Sequence, residues 1–184
     1  DIFTALKGIT YREGHLKGFI AKLDFPLSDG LLHSFTAKRN QTMHPDLNVK
    51  FPELITLDAY AVDGSGAFGK WDITPAGLHA MIFIPGQSTV YIDPMFDGNN
   101  EYYIVYRKRD FITSKTMLCD VENYDDAKPA PNNKSMFGTC ELRTYRLALS
   151  ASAEYTTFHG GTVAQAAAAQ VVTMNRVNGV YEKD

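Results

Sequence analysis

At 184 residues and 45% hydrophobic, the chain is long enough to bury a real core, and its length fits one domain or one and a fraction. A formal net charge of −3 offers no basic face to a nucleic acid, and no run of about eighteen apolar residues is there to span a membrane. The N-terminus lacks a basic head followed by an apolar run, so a signal peptide is expected to be absent already at Asp1.

In chain order, Ile2 to Leu6 and Phe19 to Phe25 read as short strands, with turns at Gly8, Gly14 and Ser28-Asp29-Gly30. Leu31 to Lys38 alternates as a half-buried strand, and His33 within it is a strand residue rather than a metal ligand, because no second ligand stands at a suitable spacing. His44 to Phe51 can make one or two helical turns, with Pro45 tolerated at the start and Pro52 ending them. Strands then resume over Leu54 to Val62, Phe68 to Ile73, Leu78 to Ile84, Thr89 to Ile92 and Tyr102 to Tyr106. Asp63-Gly64-Ser65-Gly66, Thr74-Pro75-Ala76-Gly77, Pro85-Gly86-Gln87-Ser88 and Asp97-Gly98-Asn99-Asn100 separate them as turns. Phe111 to Leu118 reads as a last strand or sheet edge. This regular spacing predicts an α+β protein that is mainly antiparallel β, a sandwich or open barrel, with one C-terminal amphipathic helix.

The composition shifts to Asn, Asp, Pro and Lys between Asp120 and Gly138, which predicts an exposed linker and a natural place for proteolysis. The chain is therefore divided into a β-rich domain over 1–118, a linker over 119–139 and a C-terminal part over 140–184. The two cysteines, Cys119 and Cys140, flank that linker. A disulfide between them would close a loop of about twenty residues and stabilise by roughly 3 kcal/mol, and two free thiols are the alternative.

In the C-terminal part, Tyr145, Leu147 and Leu149 share one face of a predicted strand over Leu142 to Ser150, with Arg143 opening that face. Gly160-Gly161 is expected to break the strand. Thr162 and Gln165 form a capping box that starts the helix. Val163, Ala167, Val171, Met174 and Tyr181 form its predicted buried stripe, with Ala166, Ala168 and Ala169 allowing close approach. Such a helix must dock on the β domain, pair with a second copy of the chain, or fray.

The words Leu142-Arg143-Thr144-Tyr145-Arg146-Leu147-Ala148-Leu149, Glu154-Tyr155, Phe158-His159-Gly160-Gly161-Thr162 and Met174-Asn175-Arg176-Val177-Asn178-Gly179-Val180-Tyr181 occur in this order over about forty residues. Together they resemble the opening of the catalytic domain in bacterial reprolysin-like zinc metallopeptidases, a metzincin family. Upstream, Phe51-Pro52-Glu53, the run from Asp72 to Ile82 and Val90-Tyr91-Ile92-Asp93-Pro94 are similar to the propeptide region of that family's precursors. The resemblance implies a precursor that is exported to the cell surface or beyond. Residues 1–118 would form its propeptide domain, and residues 140–184 the first strand and helix of its catalytic domain. It also implies a zinc held by a motif beginning His-Glu-x-x-His, which does not occur in these residues. The fragment itself is thus expected to hold no zinc and to be inactive, and its partner would be the catalytic domain of the same precursor. Cys119 resembles the thiolate switch with which some propeptides cap the catalytic zinc, although the word around it departs from the familiar cysteine-glycine form.

No catalytic residue is assigned. Gly64-Ser65-Gly66 lacks the context of a nucleophile elbow, and the histidines His15, His33, His44, His79 and His159 form no pair at helical ligand spacing. Asp24, Asp93 and Asp97 read as turn caps, and Arg107-Lys108-Arg109 as a solubilising patch at a sheet edge. The alternative reading, from another class, is a β-sandwich module binding a glycan or peptide, with the helix as a homodimer contact.

Overall fold

The computed structural model describes residues 21–96, 99–113 and 145–183. Two compact units are present, one formed by Asp1–Ile112 with Ala151–Asp184 and the other by Thr113–Ser150. The predicted strand over residues 2–6, the linker, Cys119 and Cys140 lie outside the described residues.

Seven strands make one antiparallel sheet in sequence order: β1 (Ala21–Pro26), β2 (Leu32–Arg39), β3 (Ile55–Ala61), β4 (Phe68–Thr74), β5 (Gly77–Phe83), β6 (Val90–Phe96) and β7 (Asn99–Arg107). Each pairs with the next, through short connections rich in turn formers everywhere except between β2 and β3, where residues 40–54 intervene. Between β1 and β2, the Asp29 carboxylate accepts from the Leu31 N–H; between β3 and β4, Asp63 accepts from the Ser65 N–H. Gly77 closes the β4–β5 hairpin at a φ of 127°, and a Cβ there would lie 2.7 Å from the ring of Pro94, so glycine is required twice over.

One face of the sheet is apolar and curls around itself. Leu57, Ala59, Trp71, Ile73, Ala80, Ile82, Val90 and Ile92 join Phe25, Phe35 and Ala37 in a single buried cluster. Strands β1 and β4 are three places apart, roughly 14 Å in a flat sheet. Yet the rings of Phe25 and Trp71 are 4.3 Å apart across the hollow, so the sheet is an open half-barrel. At one end Arg107 of β7 donates to the Ser28 hydroxyl at 2.8 Å, tying the last strand back to the first hairpin. Arg107 is therefore a structural clasp and not the free edge charge that the sequence suggested.

Three α-helices accompany the sheet among the described residues: α1 (Pro45–Lys50), α2 (Ala153–Phe158) and α3 (Val163–Lys183). Pro45 opens α1 as expected. Helix α2 is capped by the Ser152 hydroxyl and ended by Gly160 and Gly161, both at positive φ, so the glycine pair terminates a helix where the sequence reading had it break a strand. Residues 145–150 form no strand and are exposed, because a strand needs a neighbour and no described edge pairs with them. Lys108–Asp110 is a 3₁₀ turn and Phe111 to Thr113 is not a strand, which corrects the predicted last strand in its described part.

Helix α3 begins as predicted, with the Gln165 N–H donating to the Thr162 hydroxyl; that hydroxyl in turn donates to the Gln165 side chain, so the box is closed side chain to side chain. The buried stripe differs. Val163 is 71% and Tyr181 79% exposed, and the face that packs is Ala168, Val171, Asn175 and Gly179. Of the predicted stripe only Val171 is buried, although Ala166 and Ala168, expected to allow close approach, are buried with it. The helix is turned so that a polar side chain and a glycine, rather than Met174, face the sheet.

Candidate functional site

The half-barrel has a second face, and its outward positions on β3 to β6 carry Asp58, Lys70, Asp72, His79 and Asp93 where period-two alternation puts them opposite the apolar core. In water such a face would be an ordinary solvated surface. Here α3 lies across β4 and β5 and covers it, so that Lys70 and Asp72 become buried.

Near the N-terminal end of the seam, Ala168 and Val171 pack on Met43 and Leu54, with Phe51 beside them. One turn further, Asn175 is fully buried. Its amide donates to the Trp71 carbonyl at 2.9 Å and lies 3.4 Å from the Asp72 carboxylate, while its oxygen accepts from Asn40 at 3.0 Å. Asn40 also donates to Asp58 at 2.8 Å. Gly179 follows, where an added Cβ would sit 2.8 Å from Lys70 Cγ and 3.1 Å from the Phe83 ring. Its missing side chain lets the helix backbone approach the sheet. At the C-terminal end Glu182 accepts from Lys70 Nζ at 2.6 Å, and the same ammonium donates to Asp58 at 2.6 Å.

A second cluster adjoins on the β6 side. Asp93 receives His79 Nδ1 at 2.8 Å, the Tyr106 hydroxyl at 2.8 Å and the Arg176 guanidinium. Arg176 also lies over the Tyr91 ring at 5.3 Å, and Tyr91 stacks on Tyr106. Burial pushes the Asp93 carboxyl up, but the His79 hydrogen bond, the Arg176 charge and the Tyr106 hydroxyl outweigh it and hold the group below the usual carboxylate range. Burial dominates at Asp72: with His79 and Arg176 only partly offsetting it, the carboxyl is pushed up to about 6. Burial likewise lowers Lys70, yet Asp58 and Glu182 more than compensate and leave it raised. Asp72 Oδ1 has no hydrogen-bond partner among the described residues.

These groups are spent on one another beneath a helix. Lys70 and Asp72 are buried there, whereas His79, Asp93 and Arg176 stay partly exposed at its edge. Among the described residues there is also a cleft of about 140 Å³ at the clasped end of the half-barrel, with Phe35 and Ala67 among its apolar residues and Asp29, His33, Asp63 and Arg107 among its polar ones. His33 Nε2 is 2.8 Å from Asp29. That volume is well under the several hundred Å³ that small-molecule sites enclose. Among the described residues no group of three or more His, Cys, Asp or Glu is arranged to hold a metal ion, and no helix is long and apolar enough to cross a membrane.

Of the residues singled out from sequence, Asp93 proves to be an interior strand residue joining three partners, and Asp24 lies within β1 and accepts from Ser34; neither caps a turn. His79 is drawn into the seam, whereas His33 stays in its half-buried strand, as read. Asp58, Lys70, Asp72, Asn175 and Arg176 escaped sequence reasoning. The available signal was on the helix, where Asn175, Gly179 and Glu182 repeat at helical spacing and continue the face of Ala168 and Val171. No family model matches the chain, and no curated protein or solved structure shows significant similarity to it.

Proposed function

We propose that this chain is the propeptide region of a secreted zinc metalloendopeptidase together with the start of its catalytic domain, and that it is not itself catalytic. The half-barrel would assist folding of the catalytic domain and hold it inactive, with cleavage in the linker as the first step of its release. One observation supports this reading above others. The propeptide-like words carry Asp72, His79 and Asp93, the catalytic-domain-like word carries Asn175 and Arg176, and the two meet through Asn175–Asp72 and Arg176–Asp93 across 103 and 83 residues. A propeptide that templates the first helix of its enzyme needs such a contact.

Zinc belongs, on this reading, to the parent enzyme, and no step of its chemistry is assigned to residues here. Cys119 remains the candidate thiolate for that zinc, and Cys140 its alternative disulfide partner. Two tests bear on the reading. The coding sequence beyond Asp184 should run into His-Glu-x-x-His, and this polypeptide added in trans should inhibit the mature peptidase stoichiometrically. A reading frame without that motif, or one tightly held zinc per chain after extensive dialysis, would overturn it.

A further inference from the structure

We propose that the outward face of the sheet is a recognition surface that holds α3 as a separable ligand, so that the sheet and the helix stay together after the chain is cut in the linker over 119–139. Asn175 is the residue that sets the specificity of this contact. The physiological meaning rests on the propeptide reading: cutting the linker would not by itself free the catalytic domain, and a second event would have to displace the half-barrel.

Three features carry the inference. First, the helix and the sheet belong to one compact unit, while Thr113–Ser150, the chain that joins them, forms another. Second, the contact is built differently from the core on the opposite face. An apolar face stripped of its partner aggregates, but this one sets Met81 and Phe83 among Asp58, Lys70, Asp72, His79 and Asp93, whose polar groups are rehydrated when uncovered. Such composition is typical of surfaces that exchange partners rather than of permanent cores. Third, the contact reads the helix position by position. Ala168 and Val171 fill the apolar end, Asn175 meets Asn40, the Trp71 carbonyl and Asp72, Gly179 allows close approach, and Glu182 meets Lys70. A helix lacking the amide at Asn175 takes a donor from the buried Trp71 carbonyl and Asp72 carboxylate and leaves the Asn40 amide only its bond to Asp58. Sites built around hydrogen bonds of this kind reject close analogues strongly.

The test uses the full chain with a specific protease site inserted in the linker. After cutting at neutral pH, and with reductant present so that no Cys119–Cys140 bond joins them, both pieces should elute together from a sizing column at micromolar concentration. A fluorescently labelled synthetic peptide of residues 151–184 should exchange into the cut complex, and the same peptide with Asn175→Ala should compete about 100-fold more weakly. Because the altered residue is in the peptide, no variant protein has to fold. Pieces that separate on cutting would overturn the proposal, as would an Asn175→Ala peptide that competes as well as the native one. Neither outcome depends on an inhibition assay, so this proposal and the propeptide reading fail separately.

Discussion

Asp72 is 0% exposed, faces Asn175 and Arg176 from α3, and has His79 beside it on β5 and Asp93 beyond on β6. Its carboxyl is raised from the ordinary 3.8 to about 6, so the folded protein prefers it protonated. Its contribution to stability is therefore complete below about 3.8 and is lost as pH rises through about 6. Asp93 runs the other way: its contribution is present above the ordinary carboxylate value and is lost as pH falls through its depressed one. Melting temperature should accordingly rise as pH is lowered from about 8 to about 5 and fall again below about 4. Asp72→Asn should abolish the first limb and stabilise the protein by about 3 kcal/mol near pH 8, measured by urea unfolding. Loss of stability in that variant at high pH would mean that the buried negative charge is favourable. None of this could be read from Lys70-Trp71-Asp72-Ile73, where charged residues alternating with apolar ones look like a solvated strand face until a helix is known to cover it.

At the scale of elements, the strands were readable because Asp-Gly, Pro-Gly and Pro-Ala-Gly turns punctuate runs rich in apolar and β-branched residues. Helix α3 was readable in position but not in rotation. Hydrophobic periodicity selected Val163, Met174 and Tyr181, whereas docking is decided by one amide and one missing side chain. Residues 145–150 show the complementary failure, since Tyr145, Leu147 and Leu149 have the period of a strand without a neighbour to pair with. Gly179 provides a test whose sign is informative. On a solvent-facing helix position, Gly→Ala stabilises by about 1 kcal/mol. Here the added Cβ would press on Lys70 Cγ at 2.8 Å, and Lys70 is held at its far end by two carboxylates and cannot easily yield. Gly179→Ala should instead destabilise by about 1–2 kcal/mol in urea unfolding. A stabilised variant would show that the helix does not sit against β4 and β5 in solution.

Across the whole molecule, the α+β class and the antiparallel meander followed from the spacing of strands and turns, but the choice of an open barrel over a sandwich did not. It depends on contacts such as Phe25 with Trp71 and on the Arg107 clasp, which link positions far apart in sequence. The two cysteines lie outside the described residues, and solution chemistry addresses them directly. With a Cys119–Cys140 disulfide, protein prepared under oxidising conditions should have an intact mass lower by two hydrogens and should react with thiol reagents only after reduction. Two freely alkylated thiols would favour the zinc-capping role of Cys119.

The single tryptophan also gives the molecule a built-in optical reporter. Trp71 points into the hollow between Phe25 and Phe35, on the face of β4 opposite the helix. Its emission therefore senses opening of the barrel, while far-ultraviolet ellipticity near 222 nm is weighted toward the helices, of which α3 is much the longest. If the helix leaves first, the dichroism transition in urea should precede the fluorescence transition, with the emission maximum still blue-shifted when ellipticity has already dropped. Superimposed transitions would mean that the two faces of β4 unfold as one cooperative body.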